Sequence, residues 1–249
     1  MNGVVIDVGQ GDSILIEFPF NRGNILIDTG VNDSYSIIKN ITIPYLKKRG
    51  IKNIEYLIIS HGDYDHMGEA INLVNNFKVD NVIFNCGEYQ DLEKELIKVL
   101  DKKNIKYNSC INSIDVNNNK IYFLSTREYN NENDNSNVIY FNYNNYKFLF
   151  MGDAGIKKEM DIIDKYNLSN IDFLKVGHHG SNTSSSKEFI ESINPKYSLI
   201  SVGKNNRYGH PNDSVLQNLN DSKIYRTDQD GSIMFKIKNN KLEIETCAP

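Results

Sequence analysis

The stretch Glu55-Tyr-Leu-Ile-Ile-Ser60-His61-Gly62-Asp63-Tyr64-Asp65-His66-Met67 decides how the rest of the chain is read. An apolar run of strand length, Glu55–Ser60, leads straight into His61, Asp63, Asp65 and His66, four potential ligands within six residues. Open α/β sheets present their sites at the carboxyl ends of strands. Imidazole nitrogens and carboxylate oxygens suit Zn²⁺, Mn²⁺ or Fe²⁺. Two aspartates packed together beside a buried strand are costly unless a cation or donors neutralise them.

The other histidines repeat the pattern. Of five in the chain, His178 and His179 stand in Gly177-His-His-Gly-Ser181, after an apolar run, and His210 stands in Tyr208-Gly-His-Pro211. Further carboxylates close other expected strands. Asp153, in Phe150-Met-Gly-Asp-Ala154, follows Gly152, which frees the backbone for an unusual angle. A carboxylate there can bridge two cations, or else cap the next helix. Asp28, in Ile27-Asp-Thr-Gly30, reads as a support for a ligand rather than a ligand. Asp7 and Asp12 bracket the glycine turn of Asp7-Val-Gly-Gln-Gly-Asp-Ser13, which turn geometry explains about as well as chemistry does.

Around these motifs the chain alternates strands and helices. Strands are expected at Val4–Val8, Ser13–Phe18 and Asn24–Asp28. Asn32-Asp33-Ser34 offers a cap for a helix to about Lys48, in which Pro44 predicts a kink or two pieces. A helix at Met67–Asn76, a strand at Asn81–Asn85 and a helix at Asp91–Lys103 follow. Short strands come next, at Ser113–Val116, Lys120–Leu124, Asn137–Tyr143 and Tyr146–Met151, with a polar loop over Glu128–Asn137. The second half has helices at Lys157–Tyr166, Ser186–Ile193 and Ser214–Leu219. Its strands fall at Asp172–Val176, Tyr197–Val202, Lys223–Tyr225, Ser232–Ile237 and Leu242–Thr246. Two similar halves with no linker predict one α/β domain over residues 1–249, a four-layer αββα sandwich.

Composition sets limits on function. The 249 residues are 39 % hydrophobic and 24 % charged, an ordinary globular balance. A net charge of −4 argues against holding long nucleic acid by bulk electrostatics, although a metal can supply positive charge locally. Three dispersed cysteines, Cys86, Cys110 and Cys247, read as idle thiols rather than a disulfide framework. No spanning segment or leader is evident, so a cytoplasmic location without membrane association is expected.

His61-Gly-Asp-Tyr-Asp-His66 resembles the His-x-His-x-Asp-His signature of the metallo-β-lactamase fold superfamily, with Asp63 where the second histidine usually stands. Together with Asp7–Ser13, Gly152-Asp153, His178–Ser181 and Gly203–Pro211, it resembles the hydrolase domain of the competence protein ComEC and its stand-alone relatives. The likeness runs from Val4 to the Asp228-Gln-Asp-Gly-Ser232 hairpin. It implies two mixed sheets flanked by helices and one or two divalent ions. His61 and Asp63 would hold the first. Asp65, His66 and one of His178 and His179 would hold the second, with Asp153 between them. His178 is favoured as the ligand by the family's position and the strand preceding it. Successive residues of an extended segment point to opposite sides, so the pair is not expected to share one ion. His179 and His210 would then face substrate, beside Ser181 and Tyr208. The family's usual third histidine is missing, its place falling near Asn135-Ser136. The oxygen-rich set tilts the choice from Zn²⁺ toward Mn²⁺.

The activity so implied is a metal-dependent phosphodiesterase or nuclease using a metal-activated hydroxide, with Asp65, His179 and His210 as catalytic residues and Asp12 and Asp28 in support. Its substrate would be short or single-stranded DNA or a nucleotide. A choline-phosphate ester is a small-molecule alternative. A non-catalytic partner subunit that retains the fold is another, and amide or thioester hydrolysis is disfavoured by Asp63.

Overall fold

The computed structural model describes residues 1–19, 23–32 and 34–247. Six strands come first: β1 (Asn2–Val5), β2 (Ile14–Glu17), β3 (Asn24–Ile27), β4 (Ile54–Ile58), β5 (Val79–Phe84) and β6 (Lys106–Ser109). Then come β7 (Ser113–Val116), β8 (Asn119–Phe123), β9 (Ile139–Tyr143), β10 (Tyr146–Phe150), β11 (Phe173–Lys175), β12 (Tyr197–Ile200) and β13 (Lys223–Arg226). Strands β14 (Ser232–Lys238) and β15 (Lys241–Cys247) return to the first group. One sheet has the order β15-β14-β1-β2-β3-β4-β5-β6, and the other β13-β12-β11-β10-β9-β8-β7. Both are mixed: β3 to β6 and β10 to β13 run parallel, while the remaining pairs are antiparallel.

Side-chain alternation builds the layers. Ile25, Ile27 and Ile58 point to the core between the sheets, where Phe141, Phe148, Phe173 and Phe235 meet them. Leu26 and Leu57 point the other way, onto helices α1 (Ile43–Lys48), α3 (Ala70–Asn76) and α4 (Asp91–Lys103) through Leu46, Leu73 and Leu96. The short α2 (Tyr64–Met67) lies between β4 and α3. On the far side, Leu149, Leu174 and Ile200 pack against α5 (Ile156–Lys165), α6 (Lys187–Ile193) and α7 (Asp213–Asn218). The result is the expected αββα sandwich.

Most expected elements lie within a few residues of their observed bounds, and the departures have causes. The helix expected from Asn32 is two pieces, a π-turn over Ile38–Thr42 and then α1, with Pro44 in its first turn. Asn32 Oδ1 accepts the Ser34 N–H at 2.9 Å, and Asp33, part of the expected cap, lies outside the described residues. Strand β6, not foreseen, is a polar edge strand of alternating exposure. Its parallel pairing with β5 also corrects the reading of the cysteines. Phe84 lies opposite Ser109, so Cys86 and Cys110 emerge together, 4.5 Å apart at Cα, and form a disulfide. Such a bond sits poorly with a reducing cytoplasm. Only Cys247 is free among the described residues. No described helix is long and apolar enough to cross a membrane.

One buried cation belongs to the scaffold rather than the site. Lys158, on α5, donates to the Ser136 carbonyl at 2.7 Å, and burial pushes its ammonium down to about 8. An unfolded lysine titrates near 10.4, so the native state binds fewer protons from about pH 8 to 10.4 and gains stability as pH rises through that window. Urea unfolding of wild type and Lys158→Met should therefore diverge with pH. The wild type should gain on the variant by about 3 kcal/mol between pH 7.5 and 10.5. A constant difference would show that the ammonium is not desolvated in the fold.

Candidate metal centre

The strand tips of both sheets meet at one place. After β4 come His61, Asp63 and, on α2, Asp65 and His66; after β10 comes Asp153; after β11 come His178 and His179. Gly152 has φ +56°, and a Cβ there would lie 2.9 Å from Ser136 Cβ, so only glycine lets the chain turn Asp153 inward.

Each buried imidazole is held by Nδ1 and leaves Nε2 facing inward. His61 Nδ1 is 3.0 Å from Ser60 Oγ, and His66 Nδ1 is 2.9 Å from Asp28 Oδ2. His179 Nδ1 donates to the Ser201 carbonyl at 2.9 Å. Asp28 is itself fixed by the Ser60 amide and hydroxyl, both at 2.7 Å. An imidazole oriented by a carboxylate or carbonyl on its far nitrogen is the usual arrangement of a metal ligand.

Asp153 is the hub. Its Oδ1 lies 3.2 Å from His66 Nε2, and its Oδ2 lies 3.7 Å from His179 Nε2, 3.7 Å from His178 Nε2 and 4.0 Å from His61 Nε2. Asp65 Oδ2 is 3.2 Å from His179 Nε2, and Asp63 Oδ2 is 3.5 Å from His61 Nε2. Among the described residues, eight buried side-chain atoms lack a hydrogen-bond partner, and five of them converge here: Asp12 Oδ1, His61 Nε2, His66 Nε2, Asp153 Oδ1 and His179 Nε2. Orphaned buried polar atoms cost free energy unless something coordinates them. His61, His66 and Asp153, and likewise Asp65, His66 and His179, bring donor atoms within 4.8 Å of one another. The set fits divalent cations.

Its electrostatics fit as well. Burial alone would lower the His66 pKa, yet the Asp153 and Asp28 carboxylates raise it well above the ordinary value. His179 is raised against the same opposition by Asp153 and Asp65. Burial would raise Asp153, but the surrounding imidazoles hold it well below the usual carboxylate range. The carboxylates draw protons onto these imidazoles as stand-ins for cations, and metal binding displaces such protons.

The adjacent histidines reverse the order expected from sequence. The Gly177–Gly180 segment is not extended: both His178 (φ 48°) and His179 (φ 53°) are left-handed. That turn buries His179 at the centre and leaves His178 at the rim, its side chain 29 % exposed and its Nδ1 3.1 Å from Thr183 Oγ1. His179 thus stands among the donors rather than toward substrate. His210 joins His178 at the rim, their rings 5.9 Å apart. Ser181 braces Thr183 at 3.0 Å. Asn135 is not part of the centre, because its amide exchanges hydrogen bonds with the Tyr129 backbone at 2.8 and 2.9 Å. Ser136 Oγ accepts the Asp153 N–H at 3.1 Å. Asp7 serves the glycine turn, accepting from the Gly9 amide at 3.0 Å.

Sequence reading missed Lys175. The last residue of β11 is fully buried, and its Nζ pairs with Asp12, whose other oxygen faces the donors. The available signal was a lysine inside an otherwise apolar strand run, Phe173-Leu-Lys-Val176. Ser60, which ties Asp28 to two histidines, was missed too.

Against known families, residues 6–204 match the model of the metallo-β-lactamase superfamily. The chain belongs to the metallo-β-lactamase superfamily. Members of that superfamily are as a rule metal-dependent hydrolases and bind divalent metal, usually zinc. ComE operon protein 3 of Bacillus subtilis (strain 168) is 34 % identical over 94 % of this chain and 33 % of its own length. Recombination protein 2 of Haemophilus influenzae is 32 % identical over 96 % of this chain and 29 % of its own. Competence protein ComA of Neisseria gonorrhoeae is 31 % identical over 93 % and 31 %. These relatives agree with a ComEC-like domain, and the chain spans about a third of their length. Among solved structures, a diphosphatase from the PhnP family superposes with a TM-score of 0.56 at 12 % identity, covering 100 % of both chains. The metallo-β-lactamase fold protein YhfI of Bacillus subtilis superposes with a TM-score of 0.58 at 12 % identity, over 90 % of this chain and 95 % of its own. Both likenesses concern the fold.

Proposed function

We propose that this metallo-β-lactamase superfamily hydrolase is a two-metal phosphodiesterase acting on DNA or a nucleotide. The observation that carries the reading is the ring of orphaned nitrogens and oxygens around Asp153. His61 and Asp63 would hold one ion, Asp65, His66 and His179 the other, and Asp153 would serve both. Charge supports two ions. With the imidazoles neutral, as metal ligands must be, Asp12, Asp28, Asp63, Asp65 and Asp153 stand against one buried ammonium at this centre among the described residues, Lys175, which leaves four negative charges, the charge of two divalent ions. The many oxygen donors favour Mn²⁺ over Zn²⁺.

When bound, such ions lower the pKa of water toward ~7 and offset charge on the phosphoryl and leaving oxygens. The protein's own groups do the rest. Asp65, partly exposed, can orient the attacking water and accept its proton. His178 and His210 line the rim, where a phosphoryl oxygen or leaving group would lie. Burial and the neighbouring histidine charges lower the His210 pKa, so at neutral pH it accepts or relays a proton rather than standing as a fixed cation. The competence and recombination relatives, and the diphosphatase sharing the fold, support a phosphoester rather than an amide or thioester.

The test is turnover of bis-p-nitrophenyl phosphate by purified protein loaded with Mn²⁺ or Zn²⁺. Wild type should hydrolyse it and His66→Ala should not, while nitrocefin and S-lactoylglutathione should be left intact. Protein shown to hold metal yet inert toward every phosphodiester would overturn the reading in favour of a non-catalytic partner.

A further inference from the structure

Two clefts end on the metal centre. One, of about 590 Å³, is lined by Gln10, Asn32, Tyr64, Asp65, Asn206 and Tyr208 among others. The second, of about 500 Å³, reaches Asp153 and His178 and continues past Lys157 and Thr183. A substrate whose scissile group lies at Asp65 and Asp153 therefore has room to continue both ways, as a polymer needs and a small ester does not.

The first cleft has an unusual surface. Tyr64 is 53 % and Tyr208 55 % exposed, the two most exposed large apolar side chains among the described residues, and both line this one cleft. Neither ring hangs loose. Tyr64 lies over Gly68, where a Cβ would come within 3.0 Å of the ring. Tyr208 stacks on His210 at 5.7 Å with an interplanar angle of 19°, and the Arg207 guanidinium stands 5.0 Å from its centre. Held yet accessible aromatic faces beside amide side chains are what splayed nucleobases use, by stacking and by edge hydrogen bonds. The alternative occupant of an aromatic pair, a quaternary ammonium such as choline, wants an electron-rich cage free of other cations. Arg207 already places a cation on Tyr208.

We infer that Tyr64 and Tyr208 form a base-stacking subsite, so that the substrate is a single-stranded nucleic acid with unpaired bases on one side of the cleaved linkage. The inference rests on the phosphodiesterase reading for the place of the scissile group. It also explains how an acidic chain would hold nucleic acid: stacking supplies affinity that a basic face otherwise supplies.

The experiment is fluorescence anisotropy of the Mn²⁺-loaded protein with a labelled, cleavage-resistant phosphorothioate oligothymidylate of about six nucleotides, within the range of one single-strand site. An abasic oligomer of the same backbone is the control. Wild type should bind the thymidylate at least about tenfold tighter than the abasic strand. Tyr64→Ala with Tyr208→Ala should weaken thymidylate binding by roughly 30-fold or more and leave abasic binding unchanged. Tryptophan at both positions should restore binding, and leucine should not. Equal affinity for the two oligomers, or displacement of the oligomer by millimolar choline, would overturn the subsite. Because the readout is binding, loss of this inference and loss of the phosphodiesterase reading are separable. Turnover of bis-p-nitrophenyl phosphate without base-dependent binding removes only the former, and base-dependent binding without any hydrolysis removes only the latter.

Discussion

Asp153→Asn should lower phosphodiester turnover by at least about 10³-fold and leave no more than one ion bound per chain. The amide keeps the size and shape of the carboxylate but removes the charge that faces His61, His66, His178 and His179 at 3.2–4.0 Å. A bridging group needs an anionic oxygen toward each ion, and asparagine offers one neutral oxygen and one nitrogen that repels a cation. Asp28→Asn provides the graded comparison. Asp28 holds His66 by its Nδ1 and is itself tied to the Ser60 amide and hydroxyl, so its loss should cost about 10–100-fold, in metal affinity as much as in rate. Metal content by mass spectrometry, read beside turnover at saturating Mn²⁺, separates the two. Equal losses for both variants would mean that Asp153 is a support like Asp28, and the two-ion arrangement would have to be given up.

The fold, and most of the side chains that converge on Asp153, were legible in the sequence because their signals are local. An apolar strand running into His61-Gly-Asp-Tyr-Asp-His66 fixes both a sheet and a site at its end. Gly152 announces the turn that carries Asp153. What escaped depends on contacts between distant segments or on backbone angles that residue types do not reveal. The order of His178 and His179 follows from two successive left-handed non-glycine residues, where an extended segment was the simpler expectation. The Cys86–Cys110 disulfide follows from the register of β5 on β6, and β6 is a polar edge strand with no apolar pattern to betray it. Of Asn135 and Ser136, near which the resemblance puts the family's third histidine, Asn135 is spent on the Tyr129 backbone. Lys175 looked like one more strand residue until the fold set it against Asp12.

That last pair yields the other large effect. Removing the ammonium in Lys175→Met leaves the buried Asp12 carboxylate, beside Asp153 and Asp28, with only the His66 and His179 imidazoles, 3.8 and 3.7 Å away, as partial countercharge in the metal-free protein. Breaking one partner of a buried pair costs about 3–5 kcal/mol, which for a chain of this length lowers Tm by roughly 6–20 °C. The Gly152 carbonyl, 3.4 Å from the same Nζ, loses one of its two donors and keeps the His178 N–H at 3.1 Å. Divalent metal should then rescue the variant more than it helps the wild type, because ions bound at the donors supply the countercharge that the lysine supplied. Calorimetry with and without Mn²⁺ reads both quantities. The double variant Asp12→Asn with Lys175→Met removes both charges and should recover most of the lost stability without metal, since deleting a whole buried pair is far cheaper than deleting half. A Lys175→Met protein that melts with the wild type, or a double variant no better than the single, would mean that Lys175 is packing rather than the fixed cation beneath the metal centre.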